Sequence, residues 1–208
     1  MSAIDLKAAA RASIRPRRSF GYELARVAFV GFHKLSGWSV ESAMPPDLKT
    51  VIIAAPHSTN WDLLRMLGIA FYYRAPVRWM GKKSLGEGPF GWLMRWWGLL
   101  PVDRDSSTSL VTQVVEAFDA AEEMIVVIAP EGTRSKVKRW KTGFYNIAVG
   151  AQVPISMGFI DYKRKMGGVG GPVMPTGNFV ADMEEILAFY DRHLQVFDAP
   201  SLEMPEDD

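Results

Sequence analysis

Cysteine is absent from all 208 residues, which excludes disulfides, thiolate metal sites and a cysteine nucleophile, and fits a reducing cytosol. No stretch of eighteen or more uncharged apolar residues occurs, so a transmembrane helix is not expected. A Gly-x-Ser-x-Gly elbow is missing, which argues against a serine hydrolase. There is neither an internal repeat nor a low-complexity linker. A chain of this length with 48% apolar residues can bury one sizeable core, and a single domain is expected. Histidine occurs only three times.

Net charge is equally sparse at +1, but its distribution is uneven. Residues 1–49 carry eight Lys or Arg against four acids, residues 176–208 carry one against nine, and the middle is left at +5. A basic leader favours an anionic membrane surface. Nucleic acid is not an expected partner, because no helix shows regular Arg/Lys spacing and no binding signature is present. Residues Phe20 to Leu35 suit a helix in which Glu23, Arg26, His33 and Lys34 make only a narrow polar stripe, so its remaining surface seeks either core or bilayer. His33 is expected on the surface of that helix.

Apolar runs and their breaks predict alternating elements. Strands are expected near 51–55, 77–80, 100–102, 125–129 and 154–160, with helices near 62–74, 89–97, 107–121, 143–151 and 181–193. Such alternation makes an α/β fold, a mostly parallel central sheet flanked by helices, with an added N-terminal apolar helix. In the second helix Phe90, Leu93, Met94 and Trp97 share a face, suited to core, to the wall of an apolar tunnel or to a membrane interface. Two glycine patterns carry no cofactor reading. Gly86-Glu87-Gly88-Pro89-Phe90-Gly91 matches G-x-G-x-x-G but holds a proline and follows no strand directly. Gly167-Gly168-Val169-Gly170-Gly171 lacks the Lys-Ser/Thr ending of a phosphate loop and reads as a flexible turn or hairpin.

The chemistry lies at the carboxyl ends of the strands. Val51-Ile52-Ile53-Ala54-Ala55 leads into His57-Ser58-Thr59-Asn60-Trp61-Asp62. A neutral imidazole can take the proton of an attacking alcohol, and a carboxylate on its other ring nitrogen fixes the tautomer and stabilises the imidazolium. His57 and Asp62 are the candidates for those roles. The spacing alone has a chance expectation of roughly 0.17 in this composition, and a second copy, His193 with Asp198, follows an acidic helix with no strand before it. What singles out the first copy is Met124-Ile125-Val126-Val127-Ile128-Ala129, a second buried strand that breaks at Pro130 into Glu131-Gly132-Thr133-Arg134-Ser135. Glycine permits close backbone approach, and a hydroxyl and a guanidinium are natural phosphate ligands. Lys136, Lys138, Arg139 and Lys141 come next, either as a solvated loop or as part of an anion site. Between these blocks Gly98-Leu99-Leu100-Pro101-Val102-Asp103-Arg104 delivers an Asp-Arg pair at a strand end, where the arginine can hold a phosphate or form a surface ion pair.

In this order His57-x4-Asp62, Gly98 to Arg104, Glu131-Gly132-Thr133-Arg134 and Val153-Pro154-Ile155 resemble the four sequence blocks of the glycerolphosphate and lysophosphatidic acid acyltransferase family. The resemblance covers about residues 38–160. It implies transfer of a fatty acyl chain from acyl-CoA or acyl carrier protein to the hydroxyl of a phosphate-bearing lysolipid, with no covalent intermediate, cofactor or metal. His57 would be the general base and Asp62 its partner, while Arg104, Glu131, Gly132, Thr133 and Arg134 would line the acceptor's polar head. Lys82 or Lys83 stands where such enzymes often place a lysine facing the phosphate, and Lys141-Thr142-Gly143 resembles the Lys-x-Gly that often comes after the third block. Pro56 departs from the pattern, since many members have Asn before the histidine, and Leu100-Pro101-Val102 replaces part of the second block. Neither change removes a reacting group.

The expected organisation is a basic, apolar helical segment over 1–37 that associates with a membrane, an acyltransferase domain over 38–198 and an acidic flexible tail over 199–208. The expected location is the cytoplasmic face of a membrane, peripheral or monotopic. Two alternatives stay open: hydrolysis of a thioester or ester by the same His-Asp pair, and a lipid-phosphate-binding module without turnover.

Overall fold

The structure, a computed structural model, describes residues 19–41, 48–102 and 107–202. In chain order it contains helix α1 (Phe20–Leu35), strands β1 (Ser39–Val40) and β2 (Lys49–Ala54), α2 (Trp61–Tyr73), β3 (Val77–Lys82), α3 (Lys83–Glu87), α4 (Gly91–Trp96), β4 (Leu99–Val102), α5 (Ser107–Asp119), β5 (Met124–Ile128), α6 (Gly143–Ala151), β6 (Ile155–Asp161), β7 (Met166–Val173) and α7 (Phe179–His193). The seven strands form one sheet in the order β1-β7-β6-β2-β5-β3-β4, and all neighbours are parallel except β6 and β7.

Alternation along the central strands divides the core into two layers. Val51, Ile53 and Val126 point to one face, where they pack with Val114 and Phe118 of α5, Phe144 and Ile147 of α6 and Ile186 and Tyr190 of α7. Ile52, Ile125 and Val127 point to the other and meet Trp79, with Leu63 and Met66 of α2 against them. Burial on both faces is why β2 and β5 read as unbroken apolar runs. The α/β sheet expected from the sequence is therefore present.

Helix α1 serves two environments. One side lies on α2: Phe29 stacks on Phe71 with ring centroids 5.1 Å apart, and Tyr22 tilts against the same ring at 5.3 Å. The other side leaves Phe20, Leu24 and Val27 60% exposed or more. No helix among the described residues is long and apolar enough to cross a membrane.

Three expectations need correction. His33 is not on the surface: it is 2% exposed, and its ring fits against α2 only because residue 68 is glycine, where a Cβ would lie 2.1 Å from Nδ1. Burial, with the nearby Arg65 charge, holds this imidazole down at about 4. Of the two readings of the 167–171 glycine cluster, the flexible turn is wrong and the hairpin holds, since the cluster is the body of β7, the second strand of a hairpin with β6. At Gly170 a Cβ would stand 2.0 Å from the Phe189 ring, so the missing side chain lets α7 approach the sheet. The helix expected over 89–97 is shortened to α4, and Phe90, placed on its shared face, precedes it and is 67% exposed.

Candidate active site

In a parallel sheet, strands that start at one end also finish together, and the crevice beyond their carboxyl ends is where α/β folds present functional groups. Here β2, β5 and β3 lie side by side in that direction. The loop after β2 and the loop after β5 are separated by many residues in sequence but emerge next to each other in space. Their contact is direct, since the His57 backbone N–H donates to Glu131 Oε2 at 2.9 Å.

His57 sits on the loop from β2 to α2, after a cis Ala55-Pro56 bond, and Asp62 lies in the first turn of α2. Nδ1 of His57 is 3.0 Å from Asp62 Oδ2. With that nitrogen protonated toward the carboxylate, Nε2 carries the lone pair. The imidazole is one-third exposed, whereas Asp62 is almost fully buried. The same Oδ2 accepts the N–H groups of Ser58 at 2.7 Å and Thr59 at 2.9 Å. Oδ1 accepts the hydroxyls of Tyr162 at 2.6 Å and Thr59 at 3.0 Å. Burial alone would raise the Asp62 pKa, but these donors, His57 foremost, outweigh it and bring it down to about 2. Asp62 is thus a fixed negative charge against the ring. Glu131 is opposite in tendency: burial raises its pKa, only partly offset by the His57 N–H bond.

His57 and Asp62 line a cavity of about 960 Å³ together with several other block residues. Gly132, Thr133, Arg134, Lys82 and Lys141 line it, and its opposite wall is apolar, with Ile52, Leu63, Met66, Trp79 and Val127 between α2 and the sheet. Gly132 adopts a φ of +64°, which glycine tolerates without strain, and its missing Cβ leaves room for the Lys141 stem, 3.1 Å from where that atom would be. The segment returns on itself through the Lys141 N–H, which donates to Pro130 O at 2.9 Å, while Trp140 anchors it in the core. Arg134 donates to Asn60 Oδ1 on the His57 loop.

Not every candidate is drawn in. Of the two lysines after β3, Lys82 lines the cavity, whereas Lys83 opens α3. The Glu131 carboxylate is turned to the His57 backbone and is not part of the cavity wall. Arg104 lies outside the described residues. Lys136 pairs with Asp198 at 2.8 Å, and Lys138 and Arg139 are exposed. The second His-x4-Asp copy is dispersed, because His193 Nδ1 contacts Phe189 O at 2.8 Å while Asp198 faces Lys136. Sequence reading missed Tyr162, Thr59 and Asn60. The last two lie within the His57 loop, but nothing local marks Tyr162, whose partner is 100 residues away.

A chain from Haemophilus influenzae described as 1-acyl-sn-glycerol-3-phosphate acyltransferase is 29% identical over 137 residues, covering 61% of this chain and 55% of that protein. One of the same description from Helicobacter pylori is 28% identical over 122 residues, covering 58% and 50%. The matched region spans about half the length of these curated relatives. The family profile described as Acyltransferase matches residues 40–157, from β1 to the start of β6 and including both the His57 and the Glu131 loops. With more than half of its length inside that match, this chain belongs to the acyltransferase family.

Proposed function

We propose that this protein moves a fatty acyl chain from acyl-CoA or acyl carrier protein to the hydroxyl of a phosphate-bearing lysolipid, such as the 1-acylglycerol 3-phosphate named for its relatives. The observation that carries the reading is the His57–Asp62 pair in the wall of one cavity that both cationic and apolar side chains also line. Nε2 of His57 takes the proton of the acceptor hydroxyl as its oxygen attacks the thioester carbonyl. An ester C–O bond forms, the C–S bond breaks, and the imidazolium returns its proton to the departing thiolate. Asp62, charged throughout, stabilises the imidazolium. Arg134, Lys82 and Lys141, together with the hydroxyl of Thr133, suit a phosphate head group, and Arg104 is proposed to join them. The apolar wall between α2 and the sheet suits an acyl chain. Glu131 contributes by tying the two loops together.

The exposed apolar stripe of α1 supports a peripheral seat on a membrane, proposed to be its cytoplasmic face, from which a lysolipid reaches the cavity without crossing water. The test is acyl transfer from labelled long-chain acyl-CoA, and from acyl carrier protein, to a panel of lysolipids in vesicles, with His57→Ala alongside. The expected result is acylated product that disappears in the variant while its circular dichroism is unchanged. Free fatty acid without acylated lipid would indicate hydrolysis. Lipid binding unaffected by the substitution, with no product from either protein, would indicate a binding module.

A further inference from the structure

We propose that Tyr162 is a positioning residue for His57, its hydroxyl holding the outer oxygen of Asp62 so that the inner oxygen stays aimed at Nδ1. The inference rests on the reading of His57 as the base. A carboxylate turns readily about its terminal torsion, so its orientation must come from its donors. Both backbone donors, Ser58 and Thr59, bind Oδ2, the oxygen that already faces His57. Among the described residues Oδ1 is held by two hydroxyls, Thr59 at 3.0 Å and Tyr162 at 2.6 Å.

The two hydroxyls are not equivalent. Thr59 belongs to the same loop as His57 and moves with it, and its oxygen also accepts the Trp61 N–H at 3.1 Å. Tyr162 comes from the carboxyl end of β6, hydrogen-bonded to β2 on the side away from β5, and is the donor that fixes Asp62 relative to the sheet. Each hydroxyl has one proton to give, and the short contact of Tyr162 is in the range of a charge-assisted bond.

The tyrosine is itself well held. Asp161 Oδ1 accepts the N–H groups of Lys163 and Arg164 at 2.9 Å, closing the turn around residue 162. The buried Trp38 meets the Tyr162 ring edge-on at 5.2 Å, and the Arg65 guanidinium covers the Trp38 ring in turn, 4.3 Å from its centroid. Burial and the Asp62 bond push the phenol up to about 12, so it stays a donor through the neutral range.

Tyr162→Phe keeps the ring and its contact with Trp38 and removes only the hydroxyl, with its bond to Asp62 and its 3.1 Å contact with Thr59 Oγ1. Two readouts on the full chain decide the matter. In acyl transfer, kcat is expected to fall about tenfold with KM changed less than about twofold, as for loss of one hydrogen bond to a charged group. In 15N NMR of histidine-labelled protein, neutral His57 is expected in the Nδ1–H tautomer, with the Nε2–H form growing in the variant. Unchanged kcat and tautomer would overturn the proposal. A fall in kcat accompanied by a lower Tm and an unaltered tautomer would also overturn it, because that is the mark of a merely structural tyrosine. If the unsubstituted protein transfers no acyl chain, the acyltransferase reading fails, and the tautomer comparison still decides the role of Tyr162.

Discussion

At the scale of single residues, Asp62 links the site to stability. Its pKa is depressed from 3.8 to about 2 in the folded chain, so its ionised form contributes stability that is fully present above about pH 4 and lost as pH falls through the folded value. The shift corresponds to about 2 kcal/mol. The difference in unfolding free energy between the parent and Asp62→Asn, measured by urea titration at stepped pH, is therefore expected to narrow by about that amount between pH 5 and pH 2. A gap that stays constant with pH would mean that folding does not shift the Asp62 pKa. Arg134 has its effect in binding. Arg134→Ala is expected to raise KM for a phosphate-bearing acceptor by about tenfold with a smaller change in kcat, and an acceptor without phosphate should be insensitive. His57 and Asp62 were legible because both lie within six residues of one another after an apolar strand. Tyr162 was not, because its role depends on which strand ends beside β2.

At the scale of elements, the contact between α1 and α2 is the most sharply testable. The His33 ring occupies the space a side chain at residue 68 would need. Gly68→Ala is expected to cost about 1–3 kcal/mol by overpacking, since buried neighbours cannot yield freely. His33→Ala vacates that space, so the double variant should be more stable than the sum of the two single effects predicts. Thermal or chemical unfolding of the four proteins measures the coupling, and strict additivity would show that ring and helix do not compete. The sequence marked α1 as apolar nearly all round and left open which neighbour it seeks. Packing decides one side, where aromatic contacts reach α2, and leaves an open stripe on the other. The glycine-rich β7 was legible only as one of two readings for a related reason, since glycine signals a turn as well as a hairpin locally, whereas here its small size admits α7.

At the scale of the whole molecule, the open stripe of α1 is the feature that internal packing leaves unused. Leu24 and Val27 are 61% and 60% exposed. Leu24→Asp with Val27→Asp is expected to lower binding to anionic vesicles by at least about tenfold, because each apolar side chain of this size gains more than about 1 kcal/mol on leaving water. Tm should scarcely change. Vesicle co-sedimentation that survives both substitutions would move the membrane contact elsewhere. The parallel sheet gathers the candidate site: the loops after β2 and β5 meet at the carboxyl ends of their strands, with Lys82 at the end of β3 and Tyr162 just beyond β6.

The sequence by itself determined the alternating elements, the two-faced burial of β2 and β5, and the pairing of His57 with Asp62, because these depend on periodicity and short-range spacing. Tertiary structure alone decided that the Glu131 carboxylate holds the His57 backbone, that Lys82 and not Lys83 reaches the cavity, that His33 is buried, and that Tyr162 meets Asp62. These depend on strand order, on side-chain direction at a strand end and on where one helix lies against another. Such relations join residues far apart in the chain, and no local pattern of residue types records them.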